Sequence, residues 1–190
     1  RSTKQMIDRS YQTVQQEHHG LPLSESERLE ACCSIARERL EVGDYDAGLT
    51  ALHAWWAMGD WPRHSGLTDQ AAAELFLTAG MLSSAIASTK KLEGGQKPAE
   101  ALLSGAIALF EQMGQRNRAS ECRIELAFCY FLQGLFHLAR NTLTSSLESI
   151  TDQDKELRSI ALIRLATLEH HAGRLHDAFS LFKKALPVIR

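Results

Sequence analysis

Eight histidines, four cysteines and twenty-three acidic residues are the side chains that could ligate a metal or move a proton, and their spacing argues against both uses. His18-His19 and His170-His171 are adjacent pairs; on a helix, neighbours diverge by about 100° and do not chelate one ion. His171 and His176 straddle Gly173 and can approach across a turn, but no cysteine or carboxylate cluster completes a ligand set around them. There is no glycine-rich phosphate loop, no nucleophile elbow and no H-E-x-x-H. Asp152 and Asp154 flank a helix start, where carboxylates favour the dipole, and read as caps. Lys90-Lys91 and Lys183-Lys184 are short runs of the kind that solubilise an outer face. The expectation is a chain without catalytic, cofactor or metal residues: not an enzyme.

The cysteines fit that picture. Cys122 and Cys129 are seven apart in one helical stretch, which separates them by about 10 Å along the axis, beyond disulfide reach. Cys32 and Cys33 are neighbours pointing apart. Four reduced, buried or half-buried thiols are expected, and with them a cytoplasmic setting.

Charge narrows the partners further. The formal net charge is -2 with a pI near 6.5, so no basic field exists to hold a phosphate backbone, and nucleic-acid binding by this segment is not expected. No stretch reads as the roughly 18 apolar residues of a membrane span, and no membrane association is expected.

What must position any functional side chain is a set of helices joined by one recurring phrase: glycine, any residue, a bulky apolar or aromatic residue, two more, then a small one. It occurs at Gly43 to Gly48, Gly80 to Ala85, Gly134 to Ala139 and Gly173 to Ala178. Glycine closes a helix because it takes the left-handed conformation cheaply. The bulky residue two places on drops into the hairpin, and the small residue one turn further lets the two helices approach. Each copy is therefore read as the corner of a helical hairpin.

The helices follow from apolar periodicity and from caps. A first helix, from about residue 4 to 18, places Met6, Ile7, Tyr11 and Val14 on one face, and Gly20-Leu21-Pro22 separates it from the rest. Ser24 and Glu27 form a capping box ahead of Leu29, Cys32, Cys33, Ile35, Ala36 and Leu40. Residues 1–22 are read as an N-terminal helix or linker and 23–190 as one helical-repeat domain. Its units lie near 25–58, 67–92 plus an extra helix at 98–113, 117–149, and 152–189, the last opened by Thr151 or Asp152. The corner glycines are spaced 37, 54 and 39 residues apart, near a helix-pair repeat length except where the extra helix intervenes. The chain opens on Arg1, and the stripe Leu175, Ala178, Phe179, Phe182, Leu186 and Ile189 runs to its end. These features are read as those of a piece of a longer protein, with the last stripe expected to pack on another chain, as a homodimer or end to end.

With the corner glycine set at repeat position fifteen, position eight is Ala36, Ala73, Ala127 and Ala166, and position twenty is Gly48, Ala85, Ala139 and Ala178. Small residues at both positions in all four units resemble the tetratricopeptide repeat, over about Leu29 to Ile189. The tryptophan of position four is absent, and Tyr130 is the one tyrosine at position eleven. The resemblance implies an all-α fold: a right-handed superhelical array of antiparallel helix pairs, an α-solenoid, here of about nine to ten helices. More narrowly, Gly59-Asp60-Trp61-Pro62, Ala79-Gly80-Met81-Leu82, Leu92-Glu93-Gly94-Gly95-Gln96 and Ile107 to Gly114 are similar to bacterial multi-repeat regulators that carry a C-terminal Fis-type helix-turn-helix domain.

The resemblance also implies a non-enzymatic scaffold that binds a protein or peptide on its concave face, lined by the first helix of each pair. The family's inward positions five, nine and twelve fall on Cys33, Arg37 and Leu40, then Gln70, Glu74 and Leu77, then Ile124, Phe128 and Phe131, and then Ile163, Thr167 and His170. Arg37, Glu74, Leu77, Ile124, Phe128, Phe131, Thr167 and His170 are the candidate partner-binding residues, with Phe128 and Phe131 foremost because aromatic anchors dominate binding energy. The lysine and asparagine pattern that clamps a terminal carboxylate is missing. Trp55, Trp56 and Trp61 form a second aromatic cluster, expected to pack around the Pro62 turn. A helical-repeat RNA-binding module is the alternative, and it would need regularly spaced basic groove residues; an enzyme with an unrecognised site is a third class.

Overall fold

A computed structural model describes residues 23–151 and 153–186. Among them are eight α-helices and no strand: α1 (Glu25–Glu41), α2 (Tyr45–Leu52), α3 (Asp69–Thr89), α4 (Gln96–Gln112), α5 (Arg116–Leu132), α6 (Phe136–Ser149), α7 (Lys155–His171) and α8 (Leu175–Ala185). The expected count of nine to ten is corrected on two grounds. The helix placed at residues 4–18 lies outside the described residues, and the two helices expected to meet at Gly80 are one continuous helix, α3.

Gly80 is thus no corner. It is buried mid-helix, and a Cβ there would lie 2.8 Å from Leu103 Cγ and 2.9 Å from Leu103 Cδ2. Its missing side chain lets α4 approach α3. The sequence signal was the same, a glycine followed by apolar residues, but the chemistry it serves is close packing and not a positive φ.

Left-handed corners occur elsewhere in a shared form. The Gly43 N–H donates to Leu40 O and the Asp44 N–H to Arg39 O, and the same two-bond pattern recurs at Gly114, Gly134 and Gly173. In each, φ lies near +70° to +77°, which closes the last carbonyls of the preceding helix. Five residues on, Gly48, Ala119, Ala139 and Ala178 are all buried. A fifth corner uses a side-chain-bearing residue: Lys91, at φ 50, donates to Ser88 O while Leu92 donates to Ala87 O.

The chain divides into two compact units after Leu109, inside α4. In the first, α1 packs on α2 and α3. The Ser24 and Glu27 capping box opens α1 as the sequence requires, with the Glu27 N–H donating to Ser24 Oγ at 3.3 Å and the Ser24 N–H to Glu27 Oε2 at 2.7 Å. Helix α2 stops at Leu52, well short of the expected Met58. The rings of Trp55 and Trp56 turn inward instead, their indole N–H groups donating to Glu25 Oε1 and Asp60 O. Helix α3 is the core of this unit. By length and composition it could cross a membrane, at 21 residues and mean hydropathy 1.4, which corrects the expectation that no stretch could; 83% of its apolar window is buried inside the fold.

In the second unit α5 packs on α6 and α7, α6 on α7, and α7 on α8. Its core holds Ile124, Ala127, Ala139, Leu143, Ile150, Ala161, Leu165 and Leu168. Helix α7 is capped by Asp154, whose carboxylate accepts from the Leu157 N–H, so the cap expected at Thr151 or Asp152 falls two to three residues late. Cys32, Cys33, Cys122 and Cys129 are all buried thiols.

Candidate partner-binding face

Two helices of the second unit, α5 and α7, bring Phe128, Phe131, Thr167 and His170 to one half-exposed surface. The rings of Phe128 and Phe131 stack with centroids 6.0 Å apart and an interplanar angle of 16°. Phe131 also meets Phe136 at 5.8 Å and the edge of His171 at 5.0 Å, while its inner side rests on the core. His170 is exposed beside His171, ring centroids 5.6 Å apart. The Thr167 hydroxyl is turned back to donate to Ile163 O, one helical turn earlier.

The sequence reading missed what organises this face. Arg164 of α7 lies over the Phe128 ring at 4.2 Å, a cation held against the ring's negative face, and also faces Glu125 Oε1 of α5 at 3.7 Å. Burial pushes the Glu125 carboxyl above its usual range, Arg164 opposes that rise, and Glu121 adds to it. Arg164, Phe128, Phe131 and His171 thus form one continuous run of contacts. A signal was available: Glu125 and Arg164 are 39 residues apart, the same repeat position in successive units with opposite charge. Ile160, exposed on α7, extends the surface.

Of the remaining candidates, Glu74, Leu77 and Ile124 are buried, and Arg37 is partly exposed. Leu77 is fully buried and Ile124 is part of the core, so both are corrected from lining to packing. Transfer by repeat position assumed one open side for every first helix, but α3 is wrapped on nearly all sides. Arg37 and Glu74 are joined by a 2.6 Å ion pair between α1 and α3. Gln70 donates to the same carboxylate, and burial with the nearby Glu74 and Glu27 charges raises the Glu30 carboxyl. This pair ties two helices together. Of the tryptophans, Trp55 and Trp56 are core, whereas Trp61 is 57% exposed with its ring 5.1 Å from Phe76.

Among the described residues no group of three or more histidine, cysteine or acidic side chains is placed to hold a metal ion. A surface hollow of about 510 Å³ lies between Glu111, Arg116, Arg123 and Glu148, but Arg123 is engaged with Glu111.

Residues 119–190, nearly all of α5 through α8, match the family model of the tetratricopeptide repeat. The matched residues take in the helix pairs α5/α6 and α7/α8. No curated protein matches the chain.

Proposed function

We propose that this chain is a non-enzymatic protein-interaction scaffold whose second unit binds a protein or peptide segment across α5 and α7. The stacked, half-exposed Phe128 and Phe131 carry the reading, because rigid aromatic rings held at a surface contribute most per residue to a protein contact. The tetratricopeptide-repeat match supports it, since repeats of that family generally bind protein partners and are typically scaffolds without catalysis. Arg164 and the adjacent Glu125 give the surface a fixed polar element beside the rings, which orients a ligand. In the fuller reading the helix pairs are turns of a right-handed superhelical array, the interaction or sensing part of a bacterial regulatory protein in the cytoplasm.

Peptides selected from a displayed random library against the immobilised chain test the proposal. Binding of the selected peptides weakens about tenfold or more on Phe128→Ala or Phe131→Ala, the scale of an aromatic anchor at an interface. Selection of no peptide, or of peptides indifferent to both substitutions, refutes it.

A further inference from the structure

The run of contacts on α5 and α7 offers hydrogen-bond donors, while the carboxylates around it already have cations. Arg164 rests on Phe128, a contact that fixes the plane of its guanidinium, and its side chain stays 35% exposed. Glu125 Oε1 faces it at 3.7 Å, beyond hydrogen-bond length. Among the described residues no group accepts a hydrogen bond from Arg164, and neither His170 nor His171 is hydrogen-bonded through its ring. The acceptors differ. Both carboxylates of α5 have a cation beside them, Arg118 for Glu121 and Arg164 for Glu125. On α7, the buried Glu169 is held by both Arg140 and Arg174, and Glu156 lies about 12 Å along the axis from Arg164. The Thr167 hydroxyl is turned to Ile163 O.

What completes such a surface is a ligand that brings acceptors of its own beside an apolar group. A carboxylate suits Arg164, because two parallel N–H groups of a guanidinium match its two oxygens and charge strengthens both bonds. We propose, on the reading of this face as a peptide site, that the bound segment is acidic. It seats an apolar side chain on Phe128 and Phe131 and turns a neighbouring aspartate or glutamate to Arg164, which donates a forked pair of bonds to it. The guanidinium lies 4.2 Å from the Phe128 centroid and that centroid 6.0 Å from the centroid of Phe131, so the two contacts are at most about 10 Å apart, a span of about three extended residues. Side-chain carboxylates fill the place rather than a chain terminus, since the lysine and asparagine pattern that clamps a terminus is missing. A nucleic-acid strand could stack on the same rings, but a formal net charge of -2 supplies no field for its backbone.

The peptides selected from the displayed library against the full chain test this once their sequences are read. Aspartate and glutamate are expected to be enriched about twofold or more over the unselected library, within about three residues of an aromatic or branched aliphatic side chain. Resynthesised with amidated C termini, the selected peptides bind Arg164→Met about tenfold or more weakly, the scale of a charge-assisted hydrogen bond. Arg164→Lys keeps the charge without the planar fork and recovers only part of that loss; where Arg164→Met disturbs the circular dichroism, the lysine variant alone is read and still binds more weakly than the wild type. Glu125→Gln takes away the carboxylate that competes for Arg164 and binds the peptides more tightly. Peptides that need Phe128 but are neutral or basic, or that lose nothing with Arg164→Met, overturn the inference and leave the aromatic site standing. Weaker binding to Glu125→Gln overturns it too, because the ligand's charge is then positive. A single-stranded oligouridine that displaces the peptides and binds more tightly than they do makes nucleic acid the occupant and likewise overturns it. If no peptide is selected, or none responds to Phe128→Ala, the aromatic site itself fails and the acidic ligand with it.

Discussion

Replacing Gly80 by alanine separates two roles that a glycine can have. In a left-handed corner the substitution costs about 1–2 kcal/mol of backbone strain, whatever surrounds it. In the middle of α3 the helix gains about 1 kcal/mol of propensity, but the new methyl meets Leu103 Cγ at 2.8 Å and the Leu103 N at 3.4 Å. Overpacking of that kind costs about 1–3 kcal/mol, so Gly80→Ala alone lowers stability by about 0–2 kcal/mol. Leu103→Ala, which empties a fully buried position, costs about 2–5 kcal/mol by itself. In that background the clash is gone, and Gly80→Ala becomes neutral or stabilising by up to about 1 kcal/mol. The double-mutant cycle therefore shows a coupling of about 1–3 kcal/mol. Urea unfolding followed by tryptophan fluorescence is the assay, because Trp55, Trp56 and Trp61 all belong to the first unit. A coupling below about 0.5 kcal/mol would falsify the assignment of Gly80 to a helix-helix contact.

Three further substitutions or reactions follow from single sites. Lys91→Gly relieves the one side-chain-bearing residue with positive φ among the described residues and raises stability by about 0.5–1 kcal/mol; a lower urea midpoint refutes it. The Cys33 thiol, pushed up to about 12 chiefly by burial, stays unmodified by iodoacetamide at pH 8 in the folded chain and reacts once the chain is unfolded, which mass spectrometry reads directly. Glu125 binds its proton more tightly when folded than when unfolded, because burial raises its carboxyl. Its linkage therefore penalises the folded state above the folded-state pKa. The penalty disappears as pH falls through that value toward the unfolded one. Stability curves of the wild type and Glu125→Gln between pH 4 and 7 accordingly converge toward low pH, with the variant gaining relative to the wild type as pH rises; curves that stay parallel contradict the burial.

The sequence determined local matters. Ser24 and Glu27 specify the start of α1, because a capping box needs only four residues. Gly43, Gly134 and Gly173 mark true corners, since a left-handed closure is settled by the glycine and the turn before it. Gly114 belongs with them: its spacing to Ala119 fits the phrase, but Arg116 stands where a bulky apolar residue was required. What only tertiary structure decided was which glycines and which faces have neighbours. Gly80 and Gly134 look alike along the chain, and the approach of Leu103 makes one a contact while solvent leaves the other a turn. Likewise Leu77, Ile124 and Phe128 all hold positions that the repeat pattern turns toward the concave face, yet burial removes the first two and Arg164 holds the third at the surface. Periodicity states that a helix has an apolar stripe; the number of helices packed around it, which depends on residues far away in sequence, decides how much of that stripe remains to meet a partner.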